Sequence, residues 1–199
     1  MKTKIIILGC GSSVGVPRID GFWGNCNKKN RKNIRTRCSI IIIKGNNYIL
    51  IDTSPDIKNQ FFKNKINKLS SVLFTHEHAD QTNGIFELRP FYWKNKKRIN
   101  IYGNKKTINN LKKTYSYLFK NQSGGYPPIV KANRVKRFFV LGKNNEKISF
   151  NSIKLKHGRT TSAAYIFERT AYISDCNDFS IIKNKLFKNL KLLIIDCLK

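Results

Sequence analysis

Acidic residues are scarce in this chain of 199 residues, which has 11 Asp plus Glu against 39 Lys plus Arg and a formal net charge of +28. Histidine is scarcer still, with three residues. A strongly basic surface attracts anions, so this balance favours a nucleic acid or a phosphorylated small molecule as the partner. The alternative is a general excess of Lys, Asn and Ile, because these residues are spread along the whole chain without a concentrated stripe.

Long apolar runs are also lacking. The longest, Ser39–Ile43 and Leu190–Ile195, are far shorter than the roughly 20 residues that span a bilayer, which excludes a transmembrane helix. The basic start followed by Leu8-Gly9-Cys10 is similar to a lipoprotein signal, but the apolar stretch before Gly9 is too short for one. We therefore expect a first core strand here and no membrane partner.

Cysteine is present at five unclustered positions, an odd number that argues against a secreted disulfide framework. We therefore expect a cytoplasmic protein. The hydrophobic fraction of 40% and the aromatic fraction of 12% exclude a disordered basic tail. The length predicts a single domain over residues 1–199.

Gly, Pro and Asn separate the apolar runs clearly, and the pattern predicts a layered α/β domain with two sheets and helices outside them. Gly9–Asn33 is a long loop of the kind that often lines a site. Helices are predicted after Ser54-Pro55, over Lys105–Phe119 and over Asp178–Leu190. The predicted strands are Lys4–Leu8, Cys38–Ile43, Tyr48–Ile51, Ser71–Thr75, Ile99–Tyr102, Val135–Leu141, Lys147–Leu155, Ala163–Phe167, Thr170–Ser174 and Lys191–Asp196.

The strongest chemical signal is the segment Thr75-His76-Glu77-His78-Ala79-Asp80-Gln81, which directly follows a predicted buried strand. Two histidines and an aspartate in a loop that leaves a strand can converge on a metal ion. His157 and Asp175 also follow strands, so a folded sheet can bring all five side chains together. Imidazole and carboxylate ligands of this kind suit Zn, Mn or Fe.

Several motifs in order along the chain resemble one family. They are Leu8-Gly9-Cys10-Gly11-Ser12-Ser13-Val14-Gly15-Val16-Pro17, Trp23-Gly24-Asn25-Cys26, Arg35-Thr36-Arg37-Cys38-Ser39, Leu50-Ile51-Asp52-Thr53-Ser54-Pro55-Asp56, the His76 to Asp80 segment and Leu88-Arg89-Pro90-Phe91. The chain is similar to the metallo-β-lactamase-fold hydrolases of the PhnP type, relatives of RNase Z whose namesake is a cyclic phosphodiesterase.

The resemblance implies an αββα sandwich with one or two divalent ions, Zn or Mn, between the sheets. It implies that His76, His78 and His157 bind the first metal, that Asp80 binds the second, and that Asp175 bridges the two. The sequence departs from the family pattern at Gln81, where the pattern has a further His, and the family's final ligand His does not occur before Lys199. We therefore expect a chain truncated at its C-terminus and a weakened second site.

The implied activity is hydrolysis of a small or cyclic phosphodiester by a metal-activated water, with Asp80 as the base. The alternative is a catalytically impaired protein that binds phosphate-containing ligands or RNA. Asp52 is expected either to accept a hydrogen bond from a metal-bound His or to serve at a helix entry. The residues proposed to hold a substrate phosphate are Arg18, Arg35, Arg37 and Arg89.

Two further patterns leave alternatives open. The run Arg89 to Arg98 interleaves aromatic and basic residues, which suits either stacking on nucleotide bases or a core packed beside a solvated turn. Cys26 and Cys38 are either ligands of a structural metal or free thiols.

Overall fold

A computed structural model describes residues 1–121, 125–178, 180 and 183–196. The first sheet has six strands in the order β1-β2-β3-β4-β5-β6. Its first three strands are antiparallel neighbours, and the pairs from β3 to β6 are parallel. The strands are β1 (Lys4–Gly9), β2 (Ser39–Lys44), β3 (Asn47–Ile51), β4 (Ser71–Leu73), β5 (Ile99–Gly103) and β6 (Val130–Arg134).

The second sheet has five strands in the order β11-β10-β9-β8-β7. All neighbours are antiparallel except β10 and β11, which are parallel. The strands are β7 (Phe138–Leu141), β8 (Ile148–His157), β9 (Thr160–Phe167), β10 (Thr170–Ile173) and β11 (Leu192–Ile195).

Helices lie on the outer face of the first sheet and over its end. They are α1 (Ile57–Lys63), α2 (Ala79–Thr82), α3 (Arg89–Asn95) and α4 (Lys105–Thr114). Short 3-10 turns occupy Arg31–Asn33, Asn83–Leu88, Ser116–Leu118, Asn144–Glu146 and Lys185–Phe187. The α/β sandwich predicted from the sequence is confirmed.

Strand β2 shows how the sequence produces the two layers of core. Successive side chains of a strand point to opposite faces. Ile40 and Ile42 pack between the sheets against residues such as Phe150, whereas Ile41 packs on the other face with Phe61 of α1. Both faces are therefore buried, which explains the continuous isoleucine run, and each fully buried Ile contributes roughly 1.5–3 kcal/mol.

Some predicted elements differ from the structure. The predicted strand Val135–Leu141 begins later, as β7 at Phe138. Residues 135–137 connect β7 to a separate strand, β6, which ends at Arg134 and was not predicted. The predicted loop after His76 contains α2 and a 3-10 turn.

Two predicted helices also end or begin elsewhere. Helix α4 stops at Thr114, where the following Tyr115 leaves the helical region, rather than at Phe119. Helix α1 begins at Ile57, because the Ser54 hydroxyl accepts from the Asp56 backbone N–H and forms a turn before the helix.

The α-helix predicted over Asp178–Leu190 is wrong where it can be compared. Between residues 183 and 190 the chain forms the 3-10 turn Lys185–Phe187, whose Phe187 packs against the outer face of the second sheet. Residues 179, 181 and 182 lie outside the described residues.

Among the described residues, no helix is both long enough and apolar enough to cross a membrane.

Candidate metal centre

The three histidines of the chain meet at one edge of the sandwich. His76 follows β4 of the first sheet, His78 immediately precedes α2, and His157 ends β8 of the second sheet. One ligand nitrogen from each lies within 4.8 Å of the others, and Nε2 of His157 is 3.3 Å from Nδ1 of His78. The sheets are joined beside this cluster by a hydrogen bond from the Ala163 N–H to the Thr75 carbonyl, at 3.0 Å.

The Nε2 atom of His76 is available to bind a metal ion, because the Nδ1 atom already contacts Thr75. The Thr75 hydroxyl donates to Oδ2 of Asp52 at 2.8 Å, so its single proton is used, and Nδ1 of His76 donates to the same hydroxyl oxygen at 3.0 Å. Nε2 of His76 therefore carries the lone pair, and it is buried without a hydrogen-bond partner in the described part of the chain. Burial, together with His78 and His157, lowers the pKa of His76 to about 3 and keeps the ring neutral.

The carboxylate of Asp175 lies next to two of the three histidines. Its two carboxylate oxygens lie 3.8 Å from Nε2 of His76 and 3.9 Å from Nε2 of His157. Burial raises the pKa of Asp175, and Asp80 adds to this effect while His157 opposes it. A cation at this place would restore the charged carboxylate.

The buried amide of Gln81 lies between Asp80 and Asp175. Its Nε2 is 3.1 Å from Oδ2 of Asp80, 3.4 Å from Oδ2 of Asp175 and 3.2 Å from the sulfur of Cys38. Burial raises the pKa of the Cys38 thiol to about 12, so the thiol is protonated at neutral pH. Asp80 is thus joined to Asp175 through an amide.

Asp52 contacts the histidine cluster indirectly, through the hydroxyl group of Thr75. It is fully buried, adopts a left-handed φ of 63°, and accepts hydrogen bonds from the backbone N–H and the hydroxyl of Thr75. Burial raises the pKa of Asp52, and the two hydrogen bonds oppose that shift. Of the two roles that the sequence left open for Asp52, a direct bond to a histidine and a place at a helix entry, the first is replaced by a contact through Thr75.

The four arginines predicted to hold a substrate phosphate have other contacts. Arg37 pairs with Asp56 at 3.1 Å, and Arg18 forms an exposed pair with Asp20. Arg89 is buried and stacks on the rings of Phe86 and Tyr126. Arg35 pairs its backbone with Val16. Their role toward a substrate stays a prediction.

The aromatic residues beside Arg89 pack mainly into the protein. Phe91 meets Phe61 edge-to-face, with ring centroids 5.8 Å apart, and Tyr92 packs against the same core. Trp93 is half exposed. The packing interpretation of this run is therefore the one that fits Phe91 and Tyr92.

A cavity of about 260 Å³ opens beside the carboxylates. Asp80, Asp175 and Asp196 line it, together with Cys38 and the loop Gly9 to Ser13. The first residues of the predicted loop Gly9–Asn33 therefore line this cavity, and a functional role for the loop stays a prediction. Sequence reasoning missed Asp196, although an acidic residue directly after an apolar strand repeats the position of Asp175, and it missed Thr75 and Cys38.

Comparison with known proteins agrees with this architecture. A family model described as "Beta-lactamase superfamily domain" matches residues 47–198. The chain is 28% identical to an octanoyltransferase of Porphyromonas gingivalis (strain ATCC BAA-308 / W83), and the match covers 98% of this chain and 39% of that protein. The chain therefore spans less than half the length of this relative.

Solved structures with the same fold include a diphosphatase from the PhnP family, with 28% identity, a TM-score of 0.75, and coverage of 89% of this chain and 68% of that chain. Zn²⁺-bound PqqB from Methylobacterium extorquens has 17% identity and a TM-score of 0.65, with 88% and 66% covered. The short form of human tRNase Z has 15% identity and a TM-score of 0.60, with 92% and 73% covered.

The resemblance to metallo-β-lactamase-fold proteins that the motifs indicated is confirmed. Since the family model covers most of the residues, this chain belongs to the beta-lactamase superfamily.

Proposed function

We propose that this protein is a metal-dependent hydrolase of a phosphate ester, and that His76, His78 and His157 hold its metal ion with Asp175. The observation that carries the proposal is the convergence of three histidine nitrogens within 4.8 Å, one of them buried without a partner among the described residues. These are all of the chain's three histidines, and a carboxylate lies within 4 Å of two of them.

The geometry fits a small divalent cation. Two imidazole nitrogens bound to a tetrahedral Zn²⁺ at about 2.0–2.1 Å lie roughly 3.3 Å apart. The nitrogens of His78 and His157 are separated by 3.3 Å. Two imidazole nitrogens at this distance share either a hydrogen-bond proton or a metal ion. Imidazole and carboxylate ligands suit Zn or Mn.

The number of ions depends on Gln81. A second cation would have to bind between Asp80 and Asp175, and the amide nitrogen of Gln81 already donates to both carboxylates. An amide is a weak metal ligand compared with imidazole. We therefore propose one metal ion per chain, with the amide in place of a second.

When bound, the ion would polarise a phosphoryl oxygen and make a water molecule more acidic. The protein's own contribution begins with Thr75, which fixes the tautomer of His76. Asp80 lines the 260 Å³ cavity and is proposed as the base that accepts the proton of the attacking water. The partial burial of Asp175 strengthens its electrostatic contacts with His76 and His157.

Support for a phosphate ester comes from two directions. The similar structure with 28% identity is described as a diphosphatase from the PhnP family, and the basic surface favours an anionic substrate. Acyl transfer is not proposed, because the match to the octanoyltransferase covers only 39% of that protein.

The test measures metal content and hydrolysis together. Purified chain loaded with Zn²⁺ or Mn²⁺ and freed of excess ions is expected to retain about one ion and to hydrolyse bis(p-nitrophenyl) phosphate. His76→Ala should lose both. Because every histidine of the chain lies in the cluster, the control is Asn95→Ala, an exposed residue at the end of α3, which should retain both.

Two results would decide against the proposal. Hydrolysis that persists unchanged in His76→Ala would show that the cluster is not the reactive site. Retention of metal by the wild-type chain without hydrolysis of any phosphate ester would favour the alternative, a protein that binds phosphate-containing ligands without catalysis.

A further inference from the structure

A second and larger cavity, of about 930 Å³, lies beside the metal centre. It is bounded by the start of α4, by the segment that joins β6 to β7, and by β8 and β9. Six basic side chains line it, and none of the chain's 11 acidic residues, all of which lie in the described ranges, does so. The six are Lys105, Lys106, Lys136, Arg137, Lys154 and Arg159.

Only one of these cations has a carboxylate partner in the described part of the chain. Lys106 pairs with Glu77 at 2.7 Å, whereas the other ion pairs of the protein involve none of the remaining five. Like charges that share a concave wall repel one another, and the wall concentrates their field. An anion in the cavity would relieve this repulsion.

The start of α4 contributes a charge of the same sign. This helix has ten residues, and the Asn104 side chain caps it by accepting from the Thr107 backbone N–H at 2.9 Å. Asn104, Lys105 and Lys106 line the cavity, so the positive end of the helix dipole adds to the basic side chains.

The cavity shares a wall with the metal centre. Glu77 stands between His76 and His78 in the sequence, and it accepts hydrogen bonds from Thr160 at 2.6 Å and from Lys106. Both donors line the cavity, while no histidine of the cluster does. The two sites are therefore neighbours with separate binding groups.

We propose that this cavity binds the linked phosphate groups of a small polyphosphorylated ligand. Its volume lies within the range of about 300–1,000 Å³ that is usual for small-molecule sites. Single-stranded nucleic acids are commonly held by aromatic side chains that stack on their bases, and no aromatic residue is among the described residues of the lining. Guanidinium groups such as those of Arg137 and Arg159 suit phosphate oxygens.

The test uses the full chain and inorganic tripolyphosphate, with binding measured by calorimetry at constant ionic strength. Tripolyphosphate is expected to bind at least about tenfold more tightly than orthophosphate, because it can contact several cations at once. The double variant Arg137→Gln, Arg159→Gln should weaken tripolyphosphate binding by at least about tenfold, since two charge-assisted contacts are lost.

Two controls distinguish binding in this cavity from a general charge effect and from binding at the metal centre. Lys58→Gln, Lys63→Gln on α1 removes the same charge away from the cavity lining and should change the affinity by less than about twofold. His78→Ala disables the metal cluster and should also retain tripolyphosphate binding, so the proposal stands even if the metal centre is not catalytic. Thermal unfolding verifies that each variant is folded.

Three outcomes would overturn the proposal. Equal losses in the two double variants would show an effect of net charge alone. Loss of binding in His78→Ala would place the ligand at the metal centre. A single-stranded oligoribonucleotide that binds more tightly than tripolyphosphate, with the same dependence on Arg137 and Arg159, would assign the cavity to nucleic acid.

Discussion

The amide nitrogen of Gln81 lies 3.4 Å from Oδ2 of Asp175, a residue 94 positions later in the chain. The same nitrogen is 3.1 Å from Oδ2 of Asp80. Two carboxylates that share a partly buried site repel each other unless a donor or a cation lies between them. Gln81 therefore reduces the repulsion between Asp80 and Asp175, because its neutral amide N–H group lies between the two carboxylates.

Replacing Gln81 by His is predicted to raise the metal content. The substitution removes the bridging amide and places an imidazole beside two carboxylates, a ligand set that suits a second divalent ion. We expect about one ion per chain in the wild type and an approach to two in Gln81→His, measured by elemental analysis after removal of free metal.

Gln81→Leu serves as the matched control, because it removes the amide without supplying a ligand. It should bind no more than one ion, and it should lower the free energy of unfolding by about 1–3 kcal/mol because the carboxylates lose their donor. A wild-type chain that already holds two ions would contradict the role given to Gln81.

Thr75→Val is predicted to weaken metal binding, although Thr75 is not one of the proposed metal ligands. Its hydroxyl lies between Asp52 and His76 and accepts a further hydrogen bond from Ser174 at 3.1 Å. Valine has nearly the same shape but leaves Nδ1 of His76 without its partner. Loss of such an orienting group typically costs about 10–100-fold in metal affinity, which competition with a chelator would measure.

Thr75→Ser retains the hydroxyl and should stay within about threefold of the wild type. The expected order of affinity is wild type, Ser, then Val. Equal affinities for Val and the wild type would show that the tautomer of His76 is set in another way.

Glu77 is predicted to give a pH-dependent contribution to stability. Burial raises its pKa, but hydrogen bonds from Lys106 and Thr160 outweigh that effect and hold it below the usual value. A carboxyl with a depressed pKa stabilises the fold above the unfolded-state pKa of about 4.3, and it loses this contribution as the pH falls through the folded-state pKa. Glu77→Gln should therefore lower the Tm by about 2–4 °C at pH 7.

This difference should shrink as the pH is lowered from about 5 to about 3, when the wild-type carboxyl is protonated too. Glu87→Gln is the control, because Glu87 makes no ion pair within the described ranges. A Tm difference for Glu77→Gln that is constant over this pH range would contradict the assignment to charge.

The sheets and the histidine cluster were the predictable parts of this molecule. Strong apolar runs such as those of β2 and β4 specify buried strands, and the positions of His76 and His157 after strands predict that they meet. Edge strand β6 was missed because its alternation is weak and its residues are mostly polar. Its pairing depends on β5, which sequence periodicity does not report.

The surroundings of the cluster were less predictable, since they depend on contacts between distant residues. Cys38 and Gln81 are 43 positions apart, and no local pattern indicates that a thiol and an amide face each other. The Thr75 hydroxyl between Asp52 and His76 is likewise a tertiary arrangement. The single-domain organisation over residues 1–199 stays a prediction.

Gly84 is predicted to tolerate no side chain, because the chain passes too close to it. A Cβ at this position would lie 2.1 Å from the Ser54 carbonyl oxygen and 2.9 Å from that of Thr53. Both oxygens belong to the backbone and cannot rotate away. The Gly84 N–H also donates to the Thr53 carbonyl at 2.9 Å, and the Thr53 N–H donates to the Gln81 carbonyl at 2.8 Å.

Gly84→Ala should therefore lower the free energy of unfolding by about 1–3 kcal/mol or more, measured by chemical denaturation. It should also weaken metal binding, because a shift of Thr53 would displace Gln81, whose backbone N–H holds the His78 carbonyl at 3.1 Å, and His78 is a proposed ligand. Gly103→Ala is the control, since its Cβ would meet Thr107 at an ordinary 3.4 Å. Gly84→Ala as stable as Gly103→Ala would mean that the segment after His78 can move freely, and the tight geometry described for the metal centre would then be incorrect.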